Sequence, residues 1–325
     1  SVAILGKHRG YSFAIFYLMA SIGGIWLLGN SRLAAPVYSD NAKTIRLSQP
    51  NAPQEQKWDP EFSNMFFERQ LKYTSSNPRP DLVIWPETTL PVPFEMANSF
   101  IKKLSEVSDG TPVLLGALRY ENSSYFNSII YFDGTGNAFS IYDKHHLVPF
   151  GEYLPFENFL VEKRLTNADT LFGAGLLTGP GPKAIDIDSL GKVMPLICYE
   201  AVFPQYAGAS SERADVIVQL TNDAWFGKTI GPRQHLASQI FRSVEKSVFF
   251  LRSANSGISV VVNNKGEILK KINLNSSGYI DISTQLSPEE TFFEKHGNTS
   301  ILLIILFLGL LFYLIEFLIS LKRYN

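Results

Sequence analysis

The sequence predicts an α/β domain held between two membrane-spanning helices. Short apolar, β-branched runs recur through the middle of the 325-residue chain. Segments with apolar residues at helical spacing fall between those runs, and each end carries a stretch of bilayer length with almost no charge. Strands alternating with helices give a layered α/β domain whose ligands sit at strand ends.

From the N-terminus, Tyr11 to Gly29 carries no charge and is close to the roughly 20 residues that cross a bilayer. A cleaved signal peptide is the competing reading, since Lys7 and Arg9 precede the stretch and Leu33-Ala34-Ala35 follows it. The stretch is longer than a signal core of about 7–15 residues, which favours a span. Residues 1–30 therefore read as a transmembrane segment. Residues 31–298 read as one domain, with no internal repeat, low-complexity tract or long linker. Within it, Thr44–Leu47, Leu82–Trp85, Val113–Leu118, Ser128–Phe132, Val193–Cys198, Val216–Leu220 and Ile258–Val262 are the expected strands, several apolar enough for burial on both faces. Helical spacing with a proline near the start marks Pro60–Thr74, Pro93–Ser108 and Pro232–Arg252. Residues 299–325 supply the second span, Ile301 to Leu321, in which Glu316 is the only charge. Lys7 and Arg9 before the first span, with Lys322 and Arg323 after the second, place both ends in the cytoplasm and the domain on the far side, Arg32 and Lys295 being counter-charges.

Composition narrows the function. A net charge of −1, 18% charged residues and no basic run exclude the electrostatic footprint of a nucleic-acid binder. The single cysteine, Cys198, has no partner for an internal disulfide, so one thiol needs another explanation.

Three segments place chemistry-bearing side chains at strand ends or in a constrained loop. Leu82 to Trp85 stops at Pro86 and presents Glu87, whose apolar and aromatic neighbours disfavour its charged form and raise it toward a useful general base. Taken alone, Glu87 also fits a surface carboxylate after a strand. Val193 to Ile197 ends in Cys198, followed by the polar Tyr199-Glu200. A cysteine there is either inert packing or a nucleophile; opening a helix would favour its thiolate and aim the Tyr199 N–H at a developing oxyanion. Tyr142 to Pro155 holds two prolines and a glycine among aromatics, a constrained loop that fixes the directions of Lys144 and Glu152. A lone lysine otherwise faces solvent. His145 and His146 lack a spaced third ligand, so neither a metal nor any other cofactor is expected. Asn222 and Asp223 are read as caps of the turn that follows their strand.

Together the segments resemble the nitrilase superfamily, whose members carry Glu, Lys and Cys on a four-layer α-β-β-α sandwich; the matching residues here are Glu87, Lys144 and Cys198. WPET at 85–88, KHHLVPFGEYLP at 144–155, ICYEAVFP at 197–204, LTNDAWFG at 220–227 and GPRQH at 231–235 narrow the resemblance to the apolipoprotein N-acyltransferases. It spans residues 43–298 and takes in Lys57-Trp58-Asp59-Pro60. The resemblance implies a phospholipid acyl donor such as phosphatidylethanolamine, a thioester on Cys198, and the α-amine of a diacylated apolipoprotein as acceptor. It further implies supporting roles for Trp58, Glu152, Tyr199 and Glu200, and a place in the bacterial inner membrane with the catalytic domain on its outer side. Such proteins carry several helices before that domain where this chain, beginning at Ser1, shows one, so residues 1–30 are expected to be the remnant of a longer bundle. Two readings stand beside this one: a membrane-anchored amidohydrolase of the same superfamily, with water as acceptor, and a catalytically silent tethered scaffold.

Overall fold

A computed structural model of the chain describes residues 2–34, 43–135, 137–153, 155, 175–208, 213–227, 229–284 and 290–321. Ala35, Leu154, Lys322 and Arg323 lie outside the described residues. The chain divides into two compact units, residues 1–38 and 39–325. The first is a single 33-residue helix, α1 (Val2–Ala34), which contains the uncharged stretch Tyr11–Gly29 and exposes Leu18, Ile25, Trp26 and Leu28.

In the second unit the apolar runs form strands because both of their faces find apolar partners. One six-stranded sheet has the order β12-β1-β2-β3-β4-β5, with β1 (Lys43–Gln49), β2 (Leu82–Ile84), β3 (Val113–Glu121), β4 (Ser124–Phe132), β5 (Ala138–Asp143) and β12 (Gly278–Thr284). The other has the order β11-β10-β9-β8-β7-β6, with β6 (Ile185–Ile187), β7 (Gly191–Ile197), β8 (Val216–Thr221), β9 (Phe249–Ala254), β10 (Ser259–Val262) and β11 (Ile268–Ile272). Each sheet is mixed. A parallel trio, β1-β2-β3 in one and β7-β8-β9 in the other, is flanked by antiparallel strands.

Alternation along each strand sorts side chains into three apolar layers. Leu82, Ile84, Val216, Val218 and Leu220 meet between the sheets. Val83, Trp85 and Leu115 turn the other way, against Phe67 and Leu71 of α2 (Pro60–Ser75) and Phe100 and Leu104 of α3 (Asn98–Ser108). Ile217, Phe250 and Val262 pack on Leu236 and Ile240 of α4 (Gly231–Lys246). Three layers of side chains between four layers of backbone make an α-β-β-α sandwich.

Two expected helices end differently in the structure. Pro93–Ser108 is divided, because Ala97 (φ −91, ψ 14) leaves helical geometry between a short 3₁₀ turn, Phe94–Met96, and α3. Pro232–Arg252 stops at Lys246, where Ser247 turns left-handed (φ 54) and the apolar residues after it become β9. The last helix, α5 (Phe292–Leu321), is interrupted at Gly297, whose φ of 60 suits a residue without Cβ. Among the described residues one stretch is long and apolar enough to cross a membrane, Leu302–Ile319 of α5, with mean hydropathy 2.9.

Candidate active site

β4 and β5 are successive antiparallel strands, so β5 runs with β3 and ends on the same side as β2. Lys144 directly follows β5, Glu87 lies three residues beyond β2, and Cys198 directly follows β7 of the other sheet. All three line one cavity of about 710 Å³. Trp58, Glu152 and Tyr199 line it as well.

The two sheet ends that meet here are strained in the same way. Thr88 and Cys198 both have φ 50, the left-handed region that costs a side-chain-bearing residue roughly 1–2 kcal/mol. The turn at Glu87-Thr88 is seated on Gly116 of β3. A Cβ at Gly116 would lie 2.6 Å from Glu87 Cα and 2.7 Å from both Pro86 O and Thr88 N. On its other side Lys57 Nζ donates to Glu87 O at 3.0 Å and to the Thr88 hydroxyl.

Glu87 is buried, with one oxygen engaged and one open. Oε1 accepts from Asn127 Nδ2 at 2.7 Å, while Oε2 has no hydrogen-bond partner among the described residues. Burial raises its pKa above the ordinary carboxylate value; Glu152 adds to the rise, and Lys144, Lys57 and Asn127 oppose it without cancelling it. Lys144 is 1% exposed and donates to Glu152 Oε1 at 2.8 Å. Burial works against its charge, but Cys198, Glu152 and Glu87 outweigh burial and hold the ammonium above its ordinary range. Glu152 is in turn fixed by the Val148 N–H on Oε2 at 2.8 Å and by Asn127 Nδ2 on Oε1 at 3.3 Å.

Cys198 departs from its expected electrostatics. The segment after it, Cys198–Val202, is a 3₁₀ turn of five residues and supplies no helix terminus to favour a thiolate. Burial first, then Glu87, pushes the thiol up to about 12, against the pull of Lys144 and a hydrogen bond with Thr221.

Glu200 lies away from the cavity wall. It is fully buried and accepts from the Ile197 N–H at 2.7 Å, the His145 N–H at 2.9 Å, the His146 N–H at 3.2 Å and the Tyr142 hydroxyl at 3.0 Å. The Glu200 carboxylate thereby ties the Lys144 loop of one sheet to the Cys198 strand end of the other. His145 Nδ1 and His146 Nδ1 face Glu200 Oε1 and the Tyr206 hydroxyl at 2.8 and 3.0 Å.

The model of the carbon–nitrogen hydrolase family matches residues 60–289, most of the chain and every strand from β2 to β12. The chain belongs to the carbon–nitrogen hydrolase family. Its likeness to solved members of this fold is structural: an amidase from Nesterenkonia sp. superposes with a TM-score of 0.56 at 16% identity, covering 82% of this chain and 98% of that one. A carbon–nitrogen hydrolase from Helicobacter pylori G27 gives a TM-score of 0.52 at 15% identity over 74% of this chain and 89% of that one. Sequence relatives are nearer. Apolipoprotein N-acyltransferases of Brucella suis biovar 1 and Rickettsia prowazekii are each 36% identical, covering 88% and 84% of this chain. The chain spans only 56% and 55% of their lengths, about half of these curated relatives.

Several residues at this carbon–nitrogen hydrolase site escape a reading by motif. Lys57 opens the matching run Lys57-Trp58-Asp59-Pro60 but carries no expected role, and Asn127 falls one residue before the expected strand at Ser128. Asp223, assigned to a turn cap, is buried and paired with Arg252 and with His235 Nδ1 at 2.9 Å; Asn222 supplies the cap, accepting from the Ala224 N–H. A polar residue inside an apolar strand, as in Phe126-Asn127-Ser128 or Val218-Gln219-Leu220, is the signal that marks such positions.

Proposed function

We propose that this chain carries the catalytic part of an apolipoprotein N-acyltransferase, moving a fatty acyl group from a phospholipid through a thioester on Cys198 to the α-amine of a diacylated apolipoprotein. The observation that carries the reading is the convergence of Glu87, Lys144 and Cys198 in one cavity, with Glu87 Oε2 open and Lys144 locked to Glu152. A thiol raised to about 12 must lose its proton as it attacks, and a buried carboxylate with a free oxygen is a suitable acceptor.

In the first half-reaction Sγ attacks the acyl carbonyl while its proton passes to Glu87. The oxyanion is stabilised by the Lys144 ammonium and the Tyr199 N–H. As the tetrahedral intermediate collapses, the C–O bond breaks and Glu87 returns the proton to the departing lysophospholipid oxygen. The acceptor amine then attacks the thioester, Glu87 removes its proton, the C–S bond breaks and the proton returns to sulfur. The product is an amide. Glu152 positions Lys144, Glu200 joins the two halves of the site, and Trp58, Tyr199, Trp225 and Phe226 give the cavity an apolar wall for an acyl chain.

Membrane attachment completes the reading. The span within α5 and the uncharged stretch of α1 keep the domain at a bacterial membrane, on the outer side of the inner membrane, where both substrates are lipid-anchored. Incubation with phospholipid vesicles should add one acyl mass to Cys198, and a diacylated lipopeptide should then discharge it as triacylated peptide. Absence of the adduct overturns the acyltransferase reading; discharge only as free fatty acid makes the chain an amidohydrolase.

A further inference from the structure

Beneath Cys198 lies a buried polar cluster that the reaction as written does not use. Gln219 of β8 and Arg252 of β9 are 0% exposed, Asp223 is 2% exposed, and His235 of α4 is 7% exposed. Arg252 donates through Nη1 to Gln219 Oε1 at 2.7 Å and to Gln239, through Nε to Ile258 O at 3.1 Å, and through Nη2 to Asp223. Asp223 Oδ1 meets His235 Nδ1 at 2.9 Å and the Thr221 hydroxyl at 3.2 Å. A buried ion pair of this kind returns little net stability once both charges have been desolvated. The cluster does have one exit. Gln219 Nε2 donates to the main-chain carbonyl of Cys198 at 2.8 Å.

That carbonyl belongs to the peptide whose N–H is on Tyr199. A trans peptide is planar, with its C=O and N–H pointing in opposite directions, so fixing one fixes the other. Gln219 lies on the α4 side of its sheet, between Val218 and Leu220, which face the other sheet. The Cys198 carbonyl is therefore drawn toward the α4 layer and the Tyr199 N–H is turned away from it. Residues in the first turn of a 3₁₀ segment have no intrahelical acceptor for their N–H groups, which leaves this donor available. The same anchor holds Cys198 at its left-handed φ of 50.

We infer that Gln219, oriented by the Arg252–Asp223–His235 cluster, is a positioning residue that aims the Tyr199 N–H at the developing oxyanion. The inference deepens the acyl-transfer reading and rests on it. Gln219→Glu keeps an oxygen for Arg252 Nη1 and replaces the Nε2 donor by an oxygen facing the Cys198 carbonyl. Gln219→Met removes both hydrogen bonds at similar volume.

Two probes of Cys198 separate aim from nucleophilicity. Iodoacetamide alkylates sulfur without forming an oxyanion, whereas a p-nitrophenyl acyl ester must pass through one. Both variants should be alkylated within about twofold of the wild-type rate yet acylated at least about tenfold more slowly, a fraction of the loss seen when an oxyanion donor is removed outright. Should Gln219→Met not fold, the isosteric Gln219→Glu carries the test. Unchanged acylation in a folded variant overturns the inference, and so does an equal fall in both rates, which would assign the cluster to the thiol itself. Failure of the wild-type protein to acylate at all would instead remove the underlying reading of Cys198.

Discussion

Glu87 shows at the scale of one residue how the site exchanges stability for chemistry. Its folded pKa is raised, chiefly by burial, so the protein holds this proton more tightly than the unfolded chain does. The stability this group contributes is fully present below the unfolded carboxylate value and is lost as pH rises through the folded one. Once ionised, the base is therefore a local cost. Glu87→Gln is expected to raise the melting temperature while lowering the acylation rate by about 10²-fold or more, read by thermal denaturation and by adduct formation on Cys198. For the same reason the acid limb of the wild-type rate should lie above the ordinary carboxylate range. Lys57 shifts in the opposite sense. Burial lowers it to about 8, against the pull of Glu87 and Cys198, so the unfolded chain binds the extra proton between about pH 8 and 10.5 and stability rises through that window. Denaturant titrations should show the wild type gaining up to roughly 3 kcal/mol on Lys57→Met as pH is raised across it. A constant gap would mean that Lys57 loses its proton at the same pH in the folded and the unfolded chain.

At the scale of elements, the site depends on how closely β2 and β3 approach. Gly116 leaves room for the Glu87-Thr88 turn, and everything that a Cβ would strike there is backbone, which cannot rotate aside. Gly116→Ala should cost about 1–3 kcal/mol of stability and displace the base, with a loss of acylation larger than the stability change explains. An active, stable alanine variant would mean that the turn tolerates movement. The strands around this point were legible because they are buried on both faces and read as unbroken apolar runs. Leu82–Ile84 and Val216–Thr221 are of that kind. β11, with burial pattern eeeeB and the sequence ILKKI, has no such signature, and β12 pairs with β1 across most of the chain, a contact no local pattern encodes. The end of α4 departs from the sequence pattern because Val248-Phe249-Phe250-Leu251 suits either period, and Ser247 decides it with a left-handed turn. The site divides in the same way. Glu87, Lys144 and Cys198 stand out because each ends a strand or opens a constrained loop. Lys57, Asn127 and the Arg252 cluster are brought in by sheet packing and look, in sequence, like ordinary polar positions.

For the molecule as a whole, the proposed function raises the question of how a cavity at the edge of a sandwich would obtain a donor held in a bilayer. The apolar stretch Leu302–Ile319, long enough to cross a membrane, belongs to the same unit as both sheets, and under the proposed function it would anchor the domain through α5. If the anchor serves only to bring the cavity to lipid, weakening it should separate two activities that share Cys198. Leu310 and Leu311 lie at the middle of the stretch and point outward, so they carry none of the core packing. Arginine at a span centre costs about 2.5–3.5 kcal/mol, and Leu310→Arg with Leu311→Arg together about 5–7 kcal/mol of membrane insertion. Turnover of a water-soluble acyl ester should be unchanged in the double variant, while acyl transfer from phospholipid vesicles should fall at least about tenfold. Equal losses in both assays would show that α5 supports the catalytic fold, and undiminished vesicle activity would show that the donor reaches the cavity by another route.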